Sequence, residues 1–169
     1  MNGPADWARS YARQADKDLK AWELYEKHPE VVAAECHKLL LLQMACEKLC
    51  KAHRIQSGTP PDSVQSSHAV IAHSLPSVIK AQLVYLNRAA REMKWVMDHV
   101  RPLAGEIELL NPAVKANGQR PDNCEYPWES GGKIVSPLDW TFHPSHLVTV
   151  QAGRTFLKLL RGAIDRILE

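Results

Sequence analysis

Residues 39–52 read LLLLQMACEKLCKA and lie inside a longer run, Pro29–Arg54, that is rich in apolar residues. Apolar side chains of this run fall on more than one face of a helix, whereas a helix at a protein surface has a single apolar stripe. A helix that is apolar over so much of its girth is usually buried by several neighbours. We therefore predict a central helix over Pro29–Arg54, with other helices packed around it.

The flanking sequence supplies those neighbours. Apolar residues at helical spacing predict three further long helices, Asp6–Lys27, Pro76–Val100 and Gln151–Leu168. The His28-Pro29 break predicts a tight turn and an antiparallel hairpin of the first two helices. Pro102 predicts a stop, followed by a short helix over Leu103–Leu110. Asp6 and Thr149 are candidate caps of the first and last helices.

Two segments lack a helical stripe. Gln56–Ser67 is rich in Ser, Pro and Gly, which predicts a loop. The segment of residues 111–150, here called the excursion, contains five prolines and precedes the last helix. A stretch of about 40 residues without periodicity is long for a loop and is often functional or mobile. Within it, Lys133–Val135 is predicted as one short strand.

Aromatic side chains of the excursion have two interpretations. Tyr126, Trp128, Trp140 and Phe142 could stack on nucleic-acid bases. Aromatic residues in a proline-rich segment more often attach it to the core, and we favour that interpretation. The sequence as a whole therefore predicts an all-α, up-and-down bundle of four to five helices, forming one domain over residues 1–169, with a long irregular Pro/Gly-rich excursion.

Composition excludes several classes of protein. The net charge of +2 is too weak to indicate a nucleic-acid-binding protein by itself. No apolar run is long enough to cross a bilayer, and Met1–Trp7 does not resemble a secretory signal. Three of the four cysteines, Cys36, Cys46 and Cys50, share one predicted helix, which indicates reduced thiols rather than a disulfide scaffold. We therefore expect a cytoplasmic protein without membrane association.

Several catalytic motifs are also missing. The sequence contains no phosphate-binding Gly-x-x-x-x-Gly-Lys loop and no dinucleotide-binding Gly-x-Gly-x-x-Gly turn. It also lacks a His-Glu-x-x-His helix and a Gly-x-Ser-x-Gly elbow. An ordinary nucleoside triphosphatase, dehydrogenase, zinc protease or α/β-hydrolase is therefore not expected.

Two motifs resemble a known family. The second predicted helix contains Gln-Met-Ala-Cys-Glu-Lys-Leu-Cys-Lys-Ala over residues 43–52, and His73-Ser74-Leu75 precedes the third. With a Trp-led first helix, they resemble the HEPN family (higher-eukaryote and prokaryote nucleotide-binding domain) over roughly Asp6–Leu86. That family shows Gln-x-Ala-x-Glu-Lys-x-x-Lys-Ala in its second helix and His-x-Leu at the entry to its third. The resemblance implies a homodimeric helical bundle that acts near RNA or with a nucleotidyltransferase-type partner protein.

The sequence departs from the catalytic members of that family. Many HEPN proteins are metal-independent ribonucleases that use Arg-x(4–6)-His, but no arginine here has that spacing to a histidine. The nearest case, Arg91 to His99, has seven residues between. Glu125 stands before Tyr126-Pro127, where relatives often have arginine. Our first hypothesis is therefore a non-catalytic HEPN-like module that binds a partner protein or a nucleotide or nucleic-acid ligand, with a toxin–antitoxin or defence-type context.

Two alternatives stay open. One is a divergent metal-independent ribonuclease, in which an arginine such as Arg101 or Arg120 meets His73 or His143 in space. The other is a structural subunit of a larger complex. No cofactor is predicted in either case.

Clustered cations are the candidate binding residues. Arg154, Lys158 and Arg161 share one face of the last predicted helix, and Arg91 and Lys94 enrich the third. Phosphate binding needs such clusters, because the release of counterions drives the affinity. A solvated helix face has the same pattern, so this prediction depends on whether the side chains are free.

Buried polar residues are the other candidates. Glu47 stands among apolar neighbours, and a buried carboxylate needs a partner. We expect Glu47 and His73 to form a hydrogen bond that fixes the start of the third helix, with a ligand or catalytic role as the alternative. Two Cys/His groups are candidates for a zinc site, Cys46 with Cys50 and His53, and His143 with His146 and Cys124. Neither has the spacing and four ligands of a structural zinc site, so no metal is predicted.

Overall fold

The computed structural model describes residues 3–28, 30, 34–114 and 122–169. The helices within these ranges are α1 (Pro4–Lys27), α2 (Glu35–Gln56), α3 (Pro61–Gln65), α4 (Ile71–Tyr85), α5 (Ala90–Glu108), α6 (His143–Thr149) and α7 (Gln151–Leu168). One antiparallel hairpin, β1 (Trp128–Ser130) and β2 (Lys133–Val135), is the sheet of the described chain. The prediction of an all-α bundle is confirmed.

Helix α2 lies at the centre of the bundle. It packs on α1 as an antiparallel hairpin and also contacts α3, α4 and α5. Its buried residues cover more than one face, as the sequence predicts, and include Leu39, Leu42, Leu49 and Ile55. Burying each large aliphatic side chain contributes roughly 1.5–3 kcal/mol. Phe156 of α7 is fully buried in the same apolar cluster as Leu42 and Leu49.

The predicted third helix is wrong in its bounds, because it consists of two helices. Helix α4 begins at Ile71, before Pro76, and α5 continues through Pro102 to Glu108. Between them the chain reverses at Asn87, whose φ of 52° is left-handed. Each proline removes only one helical N–H, and the buried apolar residues on both sides of it hold the helix together. The separate helix predicted over Leu103–Leu110 is accordingly the last part of α5.

The ends of several helices also differ from the prediction. The second helix begins at Glu35, after Ala34 in an extended conformation, so its predicted start at Pro29 is wrong; Pro29 itself lies outside the described residues. Helix α3 interrupts the predicted loop Gln56–Ser67. Asp6 lies inside the first turn of α1, where its carboxylate accepts from the Gly3 amide at 2.9 Å. Thr149 ends α6 rather than capping α7, and its hydroxyl donates to the His146 carbonyl at 2.8 Å.

The excursion has more regular structure than the sequence predicts. Besides the predicted strand Lys133–Val135 it contains β1, a 3₁₀ turn over Pro137–Asp139 and α6. Trp128 and Phe142 are buried with Cys124 in a second apolar cluster against α2. The Trp128 and Trp140 rings meet edge to face with centroids 5.5 Å apart. Trp128, Trp140 and Phe142 therefore attach this segment to the bundle, as expected, whereas Tyr126 is exposed.

Within the described ranges, no helix is long and apolar enough to span a bilayer.

Candidate functional site

One surface pocket gathers His73 with a second histidine and an arginine. It lies between the end of α2 and the first half of α4, and its volume is about 410 Å³. We call it the α2–α4 pocket, and its lining residues are His53, Arg54, Ser57, Thr59, Ala69, Val70, His73, Ser74 and Ser77. The lining combines one guanidinium and two imidazoles with four hydroxyl groups. None of these nine residues carries a carboxylate.

The helices present these side chains because their apolar neighbours face the core. On α2, Ala52 and Ile55 are buried, which leaves His53 and Arg54 only partly covered. On α4, Ile71 and Leu75 are buried, while His73 lies on the exposed side. The Glu108 carboxylate at the end of α5 accepts from the Ala72 amide at 2.9 Å and so stabilises the first turn of α4.

The two histidines of the pocket differ in their surroundings. His53 is half-buried, and burial lowers its pKa, with a further lowering by the positive charge of Arg166. His53 is therefore neutral at neutral pH and can accept a proton or a hydrogen bond. The Arg166 side chain is held near this end of the bundle by the Ala81 carbonyl at 3.4 Å and by the Tyr85 ring, 5.2 Å from its centroid.

Such a lining is suited to an anion with several oxygen acceptors. The guanidinium of Arg54 has a planar set of N–H donors that matches phosphate, and hydroxyl groups add further donors. The volume of the α2–α4 pocket, about 410 Å³, falls within the range of small-ligand sites. A neutral and an exposed imidazole beside a guanidinium are also the kind of groups that can move protons during phosphoryl chemistry.

Glu47 lies in a different polar cluster, away from that pocket. Its carboxylate contacts Lys51 at 2.8 Å, Gln43 at 3.0 Å, His68 at 3.3 Å and Asn111 at 3.4 Å. The partner that links Glu47 to the segment before α4 is thus His68, and the expected bond to His73 is not formed. Each carboxylate oxygen has two partners, which is what a buried charge requires.

Lys51 extends this cluster to α3. Its ammonium also donates to the Gln65 carbonyl at 3.0 Å, and only 6% of its side chain is exposed. The cluster therefore ties α2, α3, the segment before α4 and the residues after α5 together. A pocket of about 300 Å³ beside it is lined by Glu47 and Glu125, so its charge is unlike that of the α2–α4 pocket.

The other catalytic candidates are not brought to His73. Arg101 lies 3.9 Å from Asp98 on its own helix, and His143 lies 3.4 Å from Glu106. Arg120 lies outside the described residues. Within one chain, the arginine that shares a pocket with His73 is Arg54. A search for short Arg–His spacings could not find it, because the two residues come from different helices.

The predicted basic face of α7 is partly engaged within the protein. Arg161 bonds Asp16 at 2.6 Å and lies 3.0 Å from Glu23, so it ties α7 to α1 instead of facing a ligand. The Arg154 guanidinium donates to the Thr149 carbonyl. Lys158 is exposed and has no ion pair in the described chain. These three residues therefore do not form one free basic face.

The basic residues proposed on the third predicted helix are divided in the same way. Lys94 pairs with Asp98 at 2.7 Å, one turn along α5. Arg91 is exposed and has no ion pair with any described residue. A single free cation is weak support for a binding face.

A basic stripe on α1 is a feature that the sequence interpretation missed. Arg9, Arg13 and Lys17 are exposed at successive helical turns, and none has an ion pair with a described residue. We call them the α1 stripe. Their i, i+4, i+8 spacing was visible in the sequence.

Among the described residues, no group of three or more His, Cys, Asp or Glu side chains could hold a metal ion. Cys46 and Cys50 are fully buried in the core, and burial raises the pKa of both thiols. Cys124 is buried in the second apolar cluster, apart from the exposed His146.

No protein-family model, no curated protein and no solved structure matches this chain. Kinship with the HEPN family therefore stays a prediction from the two motifs. The geometry of the α2–α4 pocket is what we use to propose a function.

Proposed function

We propose that this helical domain binds a phosphate-bearing ligand, a nucleotide or RNA, in the α2–α4 pocket. The observation that carries the proposal is the lining itself, in which Arg54, His53, His73 and four hydroxyls meet without a carboxylate. Phosphate oxygens are acceptors with negative charge, so a lining rich in donors and poor in acids complements them. The HEPN resemblance agrees with this location, since His73 and Ser74 of the His73-Ser74-Leu75 motif line the pocket.

Arg54→Gln tests this proposal. A charge-assisted hydrogen bond contributes about 1.5–3 kcal/mol, so we expect the variant to bind a uridine nucleotide or a short RNA at least about tenfold more weakly. Isothermal titration at low salt measures this loss. Arg101→Gln is the matched control, because Arg101 is an exposed arginine outside the pocket. Wild-type affinity in a folded Arg54→Gln protein would contradict the proposal.

RNA cleavage is a second candidate function, favoured by the presence of two imidazoles and a guanidinium in one pocket. In this reaction His53 removes the proton of a ribose 2′-hydroxyl, and that oxygen attacks the adjacent phosphorus. The bond from phosphorus to the 5′-oxygen breaks, and His73 gives a proton to the leaving oxygen. The products are a 2′,3′-cyclic phosphate and a 5′-hydroxyl, while Arg54 stabilises the charge that develops on the phosphoryl oxygens.

Cleavage without metal is the test of this second candidate. We expect labelled RNA to be cut in the presence of a chelator, and His73→Ala to slow the cleavage by about 10²-fold or more. The same strand made of DNA is the control, because it lacks the 2′-hydroxyl and should stay intact. Intact RNA across a broad panel of sequences would exclude the nuclease and leave the binding function.

Dimer formation and a partner protein belong to the same proposal. The HEPN resemblance implies a homodimer and a nucleotidyltransferase-type partner. Several apolar side chains of the excursion are exposed and suit such contacts, namely Tyr126, Ile134, Leu138 and Trp140. All four cysteines are buried free thiols, which is typical of a reducing compartment and supports a cytoplasmic location.

A further inference from the structure

We infer that the ligand is an extended single strand of nucleic acid, whose backbone runs from the α2–α4 pocket past the end of α2 and along the α1 stripe. This inference rests on the proposed function and specifies the class of ligand. A lone nucleotide would need the pocket alone. A strand would need a continuous path of cations beside it, and the surface of α1 provides one.

The α1 stripe has the length that a strand would use. Arg9 and Lys17 are eight residues apart, which on a helix corresponds to a rise of about 12 Å. A strand that lies along this length would place successive phosphates beside the three cations. All three side chains are exposed and have no ion pair with a described residue, so they do not have to leave an internal partner to bind a phosphate.

The last turn of α2 contributes residues both to the pocket and to the cavity that contains Arg9. Arg54 and Ser57 line the α2–α4 pocket, and the residues between them in sequence, Ile55 and Gln56, line a second cavity together with Arg9. A strand that leaves the pocket around the end of α2 therefore meets Arg9 first. The volumes of these two cavities are about 410 and 580 Å³.

A third cavity continues the path along α1. Its lining includes Ser10, Arg13 and Gln14, and its volume is about 360 Å³. Lys17, Asp18 and Lys48 also line it, so cations stand beside neutral hydrogen-bonding groups and one carboxylate. Cations spaced in this way contact a phosphate backbone without reading its bases.

The acids along this path are already engaged. Asp6 in the second cavity accepts from the Gly3 amide at 2.9 Å, and Asp18 in the third is neutralised by Lys48 at 2.5 Å. The three linings together hold five cations against two carboxylates. The whole chain is far more balanced, with 21 basic and 19 acidic residues. The positive charge of the protein is therefore concentrated along this path.

A single strand fits this surface better than a duplex. The path leaves a pocket and turns around a helix end, and double-stranded nucleic acid is too stiff to follow such a turn without a large bending cost. No Phe, Tyr or Trp side chain lines the three cavities. Recognition should therefore depend on the backbone, tolerate any sequence and respond strongly to salt.

The test uses the full chain and the triple variant Arg9→Gln, Arg13→Gln and Lys17→Gln. A labelled single strand of about twelve nucleotides, as RNA and as DNA, and a mononucleotide are titrated at several salt concentrations. We expect the triple variant to bind the strand at least about tenfold more weakly, with a salt slope smaller by about 2, since each phosphate contact contributes roughly 0.7. Its affinity for the mononucleotide should stay within about twofold of wild type.

The matched control removes three other basic residues, Arg88→Gln, Arg91→Gln and Lys94→Gln, and should leave strand binding nearly unchanged. If Arg54→Gln weakens both ligands and the stripe variant weakens neither, the α1 path is wrong while the proposed function stands. If the stripe variant weakens the strand but Arg54→Gln changes nothing, the strand does not enter the pocket and both proposals fail. Equal affinity for a duplex or for heparin would show general polyanion binding and would overturn the inference.

Comparing the affinities for the RNA and DNA strands shows which kind of nucleic acid the protein prefers. Tighter binding of RNA would indicate that the pocket hydroxyls and imidazoles contact the 2′-hydroxyl. Equal affinity would mean that the backbone alone is recognised. Circular dichroism of the triple variant checks its fold, which should be intact because all three side chains are exposed.

Discussion

Arg161 shows how a single residue can be assigned to the wrong surface. Its spacing from Arg154 and Lys158 predicts one basic face, and that spacing is the same whether the face meets solvent, a ligand or a neighbouring helix. Its actual partners, Asp16 and Glu23, are far away in sequence on α1. The acids themselves are present in the sequence, but pairing them with Arg161 requires knowing that α7 lies beside α1.

Asp16 makes this contact important for stability. Its side chain is only 10% exposed, and burial alone would raise its pKa. The hydrogen bonds and charges of Lys20 and Arg161 outweigh burial, and they lower the pKa of Asp16 below its ordinary value. The charged carboxylate therefore depends on these two cations.

We expect Arg161→Gln to lower the free energy of unfolding by about 1–3 kcal/mol, because it leaves Asp16 with one cation in a partly buried setting. Urea unfolding at neutral pH measures the change. Lys158→Gln on the same helix is the control and should stay within about 0.5 kcal/mol, since Lys158 is exposed. Equal stability of the two variants would mean that the contact between α1 and α7 does not depend on this ion pair.

The same linkage gives the direction of the pH effect. Because the folded pKa of Asp16 lies below its unfolded value, the stabilisation is present above about pH 4 and is lost as the pH falls through the folded pKa. The difference between wild type and Arg161→Gln should therefore shrink in acid.

Among the secondary-structure elements, apolar stripes predict that a helix is present better than they predict where it ends. The apolar stripe of α4 continues into α5 with little interruption, and the turn between them contains one turn-forming residue, Asn87. The prolines stand inside the helices rather than at their ends. Local sequence therefore places the break incorrectly, since packing on α2 and α7 determines which residues stay helical.

The junction between α6 and α7 depends on a missing side chain. A Cβ atom at Gly153 would lie 2.7 Å from the Val148 Cα and closer still to the Leu147 carbonyl oxygen. Both of those atoms are backbone, so the added methyl group can be accommodated only if α6 moves. Glycine at this position therefore allows the close approach of the two helices.

We expect Gly153→Ala to destabilise the protein by about 2 kcal/mol or more, because overpacking against backbone is costly. Gly105→Ala is the matched control. Gly105 lies in α5 with open space at its Cβ position, so alanine should stabilise the helix by about 0.5–1 kcal/mol. Thermal unfolding measures the stability of both variants. If Gly153→Ala were as stable as Gly105→Ala, the close approach of α6 and α7 would be disproved.

For the whole molecule, the sequence predicts the bundle but not the site. The all-α architecture follows from apolar stripes whose period is local, and the burial of α2 follows from its apolar girth. The α2–α4 pocket depends on Arg54 and His73 coming together from two helices that only the packed core aligns. His73 could be selected from its motif, whereas its neighbours Arg54 and His53 could be found only from their positions in space.

A ligand in the α2–α4 pocket would change the surroundings of its histidines, so their imidazole resonances test binding there most directly. A nucleotide phosphate beside His53 would favour the charged imidazole and raise its pKa from the lowered value in the free protein. During titration of the labelled full chain with a uridine nucleotide, we expect the resonances of His53 and His73 to shift. Those of His37 and His146, which do not line the pocket, should stay in place. Unchanged His53 and His73 resonances at a saturating nucleotide concentration would contradict the account.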